Sequence, residues 1–415
     1  MCLRRGLLRL NRNKSASLEK REERLLLLLS RTSLTPKQKK ESIDIIRDGI
    51  LWERFLSNVS ELEVSPLVYN TLSSLIGECK GIEVLIPRVY VDELKRSYYL
   101  NASRNMVLFR EVGRILSSLN RLGIPFIVLK GAYFAELVYP NRALRTMTDV
   151  DILVRKEDVK TCEALLRESG YSPCRDSAPS DYYADLHHII PYDSGDGLIR
   201  MEVHTHIVKP TFPVVLDIEG FWRRAKRVEI AGNDTLVLSP EDTVLHLCLH
   251  FCVHLVNGRS YAGRFRGMCD ICEFLEKFKT EINWDFILKE SMEHKMAPCI
   301  YYPLWFVREF LDADIPEDVL LRLKGEVPFG SLEDRVLKAL IKRFVFLSSD
   351  TEGGFIPEGF IYSFSKRVLT GCGEKKGFIG VFFGAVLEVI WAYLRGYFVF
   401  ASRGIRRLSF REVGN

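Results

Sequence analysis

The sequence has 415 residues, of which 47% are hydrophobic and 27% are charged, and its formal net charge is +5. This length exceeds one ordinary core, so we expect two or three domains, and the balanced composition is typical of a globular protein rather than a disordered chain. The mild positive charge suits an anionic ligand such as a nucleotide but is too small to argue for nucleic-acid binding.

The chain starts with a basic segment that runs into leucines, "MCLRRGLLRLNRNKSASLEKREERLLLLLS". The leucine run is short, follows charged residues and lacks a small-residue cleavage site, so it does not read as a signal peptide. We predict an N-terminal extension over residues 1–40 that leads into a helix. The ten cysteines are scattered, which indicates reduced thiols and predicts a cytoplasmic protein.

A helical domain is predicted over residues 41–122. Apolar residues recur at three- and four-residue spacing in "ILWERFLSNVSELEVSPLVYNTLSSL", with a break at Ser65-Pro66. A further helix, "NMVLFREVGRILSSLNRLG", ends at Gly123.

The hydrophobic period changes after Gly123, and residues 123–238 are predicted to form a compact α+β core. "IPFIVL" and "DVDILV" are predicted strands, with a short helix between them and a longer helix, closed by Gly170, after the second. "LHHIIPYD" and "LIRMEVHTHI" are joined by "SGDG", a strong hairpin signal, and "RVEI" with "TLVL" predicts a smaller strand pair.

Two carboxylates lie on the second of these strands. Alternation places Asp149 and Asp151 on one face, and Val150 and Ile152 on the other. Two like charges this close repel, and a divalent cation between them relieves the repulsion; hard oxygen ligands favour Mg²⁺, with Mn²⁺ as an alternative. The other interpretation is a pair of solvent-facing acids on a half-exposed strand.

A third carboxylate is available on the later strand "LIRMEVHTHI", where Glu202 shares a face with His204, a candidate nucleotide-binding residue. If this strand lies beside the Asp149 strand, Glu202 completes a cluster that can hold Mg²⁺ and can accept a hydroxyl proton. The alternative is an exposed strand acid beside a polar His204.

Basic and small residues before the acids predict a phosphate site. Lys130-Gly131 lies between a strand and a helix, where the glycine lets a phosphate approach the backbone and the lysine adds a cation. Arg145 and Arg142 are candidate phosphate clamps, with Arg145 preferred because it lies four residues before Asp149; either is equally readable as an ordinary surface arginine.

Helices are predicted again over residues 239–347, and the first has Ser239 at its cap. It carries His246, His250 and His254 on one stripe, and "CDIC" follows with Cys269 and Cys272. We weigh three interpretations: helices packed in the core, a zinc site, and a histidine stripe that faces the nucleotide cleft together with Asp270.

Residues 348–415 are predicted to form a loop and an apolar C-terminal helix. The stretch "GFIGVFFGAVLEVIWAYL" contains Glu388. A buried helix is one interpretation, and peripheral membrane contact through residues 377–401 is the other.

The stretch "LKGAYFAELVYPNRALRTMTDVDILV" with the later "RMEVHTHI" resembles the nucleotidyltransferase superfamily of the DNA polymerase β type. It is most similar to an uncharacterised nucleotidyltransferase family within it, over roughly residues 45–345. The resemblance implies a small mixed sheet flanked by helices and a metal-dependent transfer of a nucleoside monophosphate from an NTP, such as ATP, to a hydroxyl, with pyrophosphate leaving.

The resemblance also implies roles for individual residues. Asp149 and Asp151 would bind the metal, Glu202 would be the third acid, and Gly131 would line the triphosphate. The wider superfamily has Gly-Ser or Gly-Gly at this turn, whereas Ala132 follows Gly131 here and offers only its backbone N–H, so Lys130 would compensate.

The acceptor stays open among a protein side chain, a sugar, a small metabolite and an RNA end. Two other function classes are considered: a glycosyltransferase that uses D-x-D to hold a nucleotide sugar, and a catalytically silent nucleotide-binding or antitoxin-like regulatory protein with the same fold. The third acid and the Lys-Gly turn argue against the glycosyltransferase, and the intact trio of acids argues for activity over the silent protein.

Overall fold

The computed structural model describes residues 20–174, 188–208, 214–257 and 261–327, together with scattered positions from 330 to 342. The predicted helical region over residues 239–347 is described only in part beyond residue 327, and the apolar stretch 377–401 lies wholly outside the described residues. Within the described residues, no helix is both long enough and apolar enough to span a membrane.

Five helices precede the sheet. The leucines 25–29 are buried, because the segment packs against the C-terminal helices: the backbone N–H of Thr32 donates to Glu273, and Arg31 donates to the carbonyl of Leu311. The part of the predicted extension that is described is therefore packed on the body of the protein. The helices are α1 (20–29), α2 (Pro36–Arg47), α3 (Trp52–Glu61), α4 (Ser65–Glu78) and α5 (Arg88–Arg121).

The centre of the molecule is a seven-stranded mixed sheet with the order β3-β4-β5-β2-β1-β7-β6. The pairs β2–β5 and β1–β7 are parallel and the other pairs are antiparallel. This confirms the predicted mixed sheet flanked by helices. The strands are β1 (Phe126–Val128), β2 (Asp149–Val154), β3 (Ser172–Pro173), β4 (Tyr192–Asp193), β5 (Arg200–His204), β6 (Lys226–Ile230) and β7 (Asn233–Val237).

Short helical segments connect these strands. The segment α6 (Lys130–Tyr133) continues into a π-helical turn (Phe134–Val138), and a 3-10 turn (Arg142–Leu144) leads towards β2. The helix α7 (Val159–Glu168) follows β2, and α8 (Ile218–Arg224) precedes β6. A π-helical turn is uncommon and occurs often near functional sites.

Up to residue 327, the described chain has these helices after the sheet: α9 (Pro240–Asn257), α10 (Tyr261–Phe278), α11 (Trp284–Glu293), α12 (Ala297–Leu311) and α13 (Glu317–Gly325). The hydroxyl of Ser239 caps α9 by accepting from the N–H of Asp242, as the sequence predicts. Cys269 and Cys272 are buried thiols of α10, and neither belongs to a metal-ligating cluster within the described residues. One continuous hydrophobic core joins these helices to the sheet and to the N-terminal helices, so the domain boundaries stay a prediction.

Candidate active site

The three predicted acids lie on two adjacent parallel strands. In the register of β2 and β5, Asp151 is opposite Glu202, and Asp149 is opposite Arg200. Val150 and Ile152 are buried on the other face of β2, so alternation gives Asp149 and Asp151 the same side of the sheet as Glu202. The structure therefore brings together carboxylates that are about fifty residues apart in the sequence.

His204 holds two of these carboxylates together. Its Nε2 lies 2.8 Å from Oδ1 of Asp151 and 3.6 Å from Oε2 of Glu202. Asp151 and His204 are buried, whereas Asp149 and Glu202 are partly exposed. Ligand atoms of Asp151, Glu202 and His204 lie within 4.8 Å of one another, a spacing that suits a metal ion.

Lys130 is the cation of this cluster. The N–H of Leu129 donates to the carbonyl of Asp151 at 2.9 Å, which extends the pairing of β1 with β2 and brings the next residue to the acids. The Nζ of Lys130 lies 3.0 Å from Oδ1 of Asp151. Lys130 adopts a φ of +30°, a sparsely populated conformation of the kind that clusters at functional sites.

The surroundings of the acids lower the pKa of Asp151 and of Glu202 but raise the pKa of Asp149. Burial raises the pKa of Asp151, but the Lys130 ammonium and the hydrogen bond from His204 outweigh it and hold that pKa below its ordinary value. Burial likewise raises the pKa of Glu202, and the hydrogen bond from His204 overcomes it. Burial, and after it the Asp151 carboxylate, raises the pKa of Asp149. Asp149 is therefore the acid whose charge is least compensated by the protein.

The histidine stripe of α9 reaches the acids through Lys130. The Nε2 of His250 lies 3.0 Å from Nζ of Lys130, and the Nε2 of His254 lies 3.1 Å from Nε2 of His250. Burial, followed by the Lys130 charge, lowers the pKa of His246 to about 3 and that of His254 to about 4. These imidazoles are neutral near pH 7, and none belongs to a metal-ligating cluster of the described chain.

Arg145 is buried behind the Lys-Gly turn, where Asp270 binds it. Its Nε lies 3.0 Å from Oδ1 of Asp270 and its Nη2 lies 2.8 Å from Oδ2, while the hydroxyl of Tyr139 donates to the same carboxylate. A Cβ atom on Gly131 would lie 3.3 Å from Nη1 of Arg145 and 3.4 Å from the carbonyl oxygen of Asp149. Gly131 thus lets the turn pack directly on Arg145 and on the start of β2.

Two other residues were predicted to bind phosphate: Arg142 lies away from the acids, and Ala132 is buried. The guanidinium of Arg142 contacts the carboxylate of Glu136 and stacks 4.2 Å above the centre of the Phe109 ring. Ala132 is fully buried. The structure does not bring Arg142 together with the acid cluster.

Arg266 on α10 is a site residue that the sequence analysis missed. Its Nη1 lies 2.7 Å from Oε2 of Glu63 and 3.3 Å from the hydroxyl of Thr146. Its positive charge partly offsets the burial that raises the pKa of Asp149. The sequence could have indicated it, because Arg266 lies one helical turn before Asp270 and therefore on the same face of α10. That face contacts Thr146 and Arg145, on the segment that leads into β2.

Comparison with known proteins gives one family match. A family model described as an uncharacterised nucleotidyltransferase matches residues 48–312. No curated protein matches the chain.

Two solved structures resemble the chain. The antibiotic-resistance factor ANT(2'')-Ia has 14% sequence identity and a TM-score of 0.23, with 57% of this chain and 92% of that chain covered. An antigenic nucleotidyltransferase-like protein from Paracoccidioides brasiliensis has 14% identity and a TM-score of 0.29, with 51% and 95% covered. Both TM-scores are low, so neither structure carries an argument about this chain.

Proposed function

This chain belongs to a family of uncharacterised nucleotidyltransferases, and we propose that it transfers a nucleoside monophosphate from an NTP to a hydroxyl group of an acceptor. The observation that carries this proposal is the pairing of Asp151 with Glu202 on adjacent strands, with Asp149 on the same face. A glycosyltransferase would not be expected to match this family model over most of the chain.

The proposed reaction is an in-line displacement at phosphorus. The oxygen of the acceptor hydroxyl forms a bond to the α-phosphorus, while the bond between the α-phosphorus and the oxygen that bridges to the β-phosphate breaks. Pyrophosphate leaves with that electron pair, and the hydroxyl proton passes to a carboxylate. Glu202, from the second strand, is the proposed base.

The acid cluster fits a divalent cation. Asp149, Asp151 and Glu202 would hold it, because they offer hard oxygen ligands from a concentrated negative patch. Burial, and after it the Asp151 carboxylate, raises the pKa of Asp149, and a bound cation would favour its ionised form. When bound, Mg²⁺ or Mn²⁺ neutralises triphosphate charge and makes a bound hydroxyl easier to deprotonate.

Two cations are proposed to contact the triphosphate. Lys130 lies at the end of β1 against Asp151, and Arg266 lies on the side of Asp149. His204 is proposed to orient Asp151 and Glu202 rather than to grip phosphate, because its Nε2 already faces both carboxylates. The buried Arg145 is proposed to support the Gly131 turn from behind.

The acceptor remains a prediction, with a protein side chain, a sugar, a metabolite and an RNA end as the candidates. Membrane contact through residues 377–401 and a cytoplasmic location also stay predictions. None of them is needed for the chemistry proposed for the acid cluster.

Transfer of label from each α-³²P-NTP, measured with Mg²⁺ in the presence of a cell extract, tests the proposed function. We expect Asp149→Asn, Asp151→Asn and Glu202→Gln to reduce transfer by at least about 100-fold, because each removes a metal ligand or the base. Glu229→Gln is the matched control, because Glu229 is an exposed acid on the edge strand β6. Transfer at the wild-type rate by Glu202→Gln would contradict the proposal.

A further inference from the structure

A pocket of about 260 Å³ lies between the N-terminal helices and the segment that leads into β2. Its walls come from α3, α4 and α5, and from Thr146, Met147 and Thr148. Thr148 directly precedes Asp149, so the lining of the pocket is continuous in the chain with the start of β2. None of the predicted site residues lines it.

Arg266 links this pocket to the acid cluster. Its guanidinium contacts Glu63 and Thr146, which both line the pocket, and its charge acts on Asp149. The hydroxyl of Thr146 donates to the carbonyl of Glu63 at 2.9 Å, which fixes the rim of the pocket to the approach to β2. The pocket and the acid cluster therefore share Arg266 as a neighbour.

The lining groups select the chemistry of the ligand. Ser60, Ser65 and Ser97 line the pocket with hydroxyl groups, which donate and accept hydrogen bonds. The carboxylate of Glu93 accepts from hydroxyl donors, and the guanidinium of Arg104 donates to hydroxyl oxygens. This combination suits a molecule that carries several hydroxyl groups.

The charge of the pocket argues against a triphosphate as its ligand, and its size argues against a long polymer. Two carboxylates, Glu63 and Glu93, and one guanidinium, Arg104, line the pocket, so the lining carries no excess of positive charge for a triphosphate. Ligand pockets for drug-sized molecules range from about 300 to 1,000 Å³, so a cavity just below this range suits one sugar-sized ring rather than a long polymer.

We propose that this pocket binds the acceptor and that the acceptor is a polyhydroxylated small molecule of about the size of a monosaccharide. The inference rests on the proposed function, because only a nucleotidyl transfer at the acids gives the pocket an acceptor to hold. One hydroxyl of the bound molecule would face the cluster while the others contact the serines and Glu93.

The test fills the pocket with an indole. Ser97→Trp places the ring in the cavity from a partly exposed position of α5, and Ser103→Trp is the matched control, an exposed serine of the same helix outside the lining. The probes are the four α-³²P-NTPs, including ATP, each with Mg²⁺ and a cell extract divided by ultrafiltration into small molecules and macromolecules. The readouts are labelled products, identified by mass spectrometry, and the affinity for ATP with Mg²⁺.

We expect wild type and Ser103→Trp to label a polyhydroxylated product in the small-molecule fraction. Ser97→Trp should lose at least about tenfold in this transfer, while its affinity for ATP changes less than about twofold. The inference would be overturned if Ser97→Trp transferred label as fast as wild type, or if its affinity for ATP fell as much as its transfer. It would also be overturned if the label appeared on macromolecules or on an acceptor with a single hydroxyl. Absence of labelling by wild type with every NTP would instead count against the proposed function.

Discussion

Neutralising the two acids of β2 should change stability in opposite directions. Asp151 is buried between Lys130 and His204, which both stabilise its negative charge. Asp149 lies on the same face, where the Asp151 carboxylate opposes its ionisation. Without metal, we therefore expect Asp151→Asn to lower the free energy of unfolding and Asp149→Asn to raise it, although both abolish transfer.

The magnitudes follow from the contacts. Removing one partner of a buried ion pair costs about 3–5 kcal/mol, and Asp151→Asn leaves Lys130 without its carboxylate. Asp149→Asn removes a repulsion, and we expect a gain of about 1 kcal/mol, the size of a typical single-substitution effect.

The ionisation of the two acids also contributes to the pH dependence of stability with opposite signs. The folded-state pKa of Asp151 is lowered, so its stabilising contribution is present above its unfolded pKa and is lost as the pH falls towards the folded value. The folded-state pKa of Asp149 is raised, so its ionisation costs stability once the pH exceeds its unfolded pKa.

The assay is urea unfolding in EDTA near pH 7.5, repeated with Mg²⁺. Added Mg²⁺ should stabilise wild type more than Asp149→Asn, because the variant lacks one ligand and the repulsion that metal relieves. Equal destabilisation by both substitutions in EDTA would refute the opposite electrostatic roles assigned to the two acids.

Three further predictions concern the support of the site. Asp270→Asn should lower the free energy of unfolding by about 3–5 kcal/mol in the same urea assay, because it leaves Arg145 buried without its carboxylate. The control is Asp312→Asn, which removes a half-exposed ion pair with Arg24 and should cost less than about 1 kcal/mol. Gly131→Ala should reduce transfer without unfolding the protein, because its Cβ would press on Arg145 and on the Asp149 carbonyl; unchanged kcat/KM would contradict this close packing. His246 is neutral when folded and binds a proton when unfolded, so stability should fall below about pH 6.5 by about 2 kcal/mol at pH 5, and His246→Gln should remove that part of the pH profile.

The two hairpins of the sheet could be predicted from the sequence because local patterns specify them. The "SGDG" turn fixed the hairpin of β4 and β5, and the period-two alternation of β2 gave the faces of Asp149 and Asp151. The sequence could not establish that β2 pairs with β5, and the three-acid cluster was predicted only on the condition that the two strands are neighbours. The structure shows this pairing, with Asp151 opposite Glu202.

The partners of the basic residues could not be predicted from the sequence, because they come from distant segments. Arg145 was predicted to hold phosphate, yet its partner Asp270 lies 125 residues away in the chain on α10. Lys130 contacts His250 across 120 residues. Helical periodicity identified the stripe that carries His250 but not the element that it faces.

Binding of Mn²⁺ with ATP, followed by electron paramagnetic resonance, tests the central claim most directly. If carboxylates from β2 and β5 hold one metal site, Glu202→Gln should weaken Mn²⁺ binding by at least about tenfold, and Glu229→Gln on β6 should leave it unchanged. Wild-type Mn²⁺ affinity in Glu202→Gln would contradict the account, because the second strand would then contribute nothing to the metal.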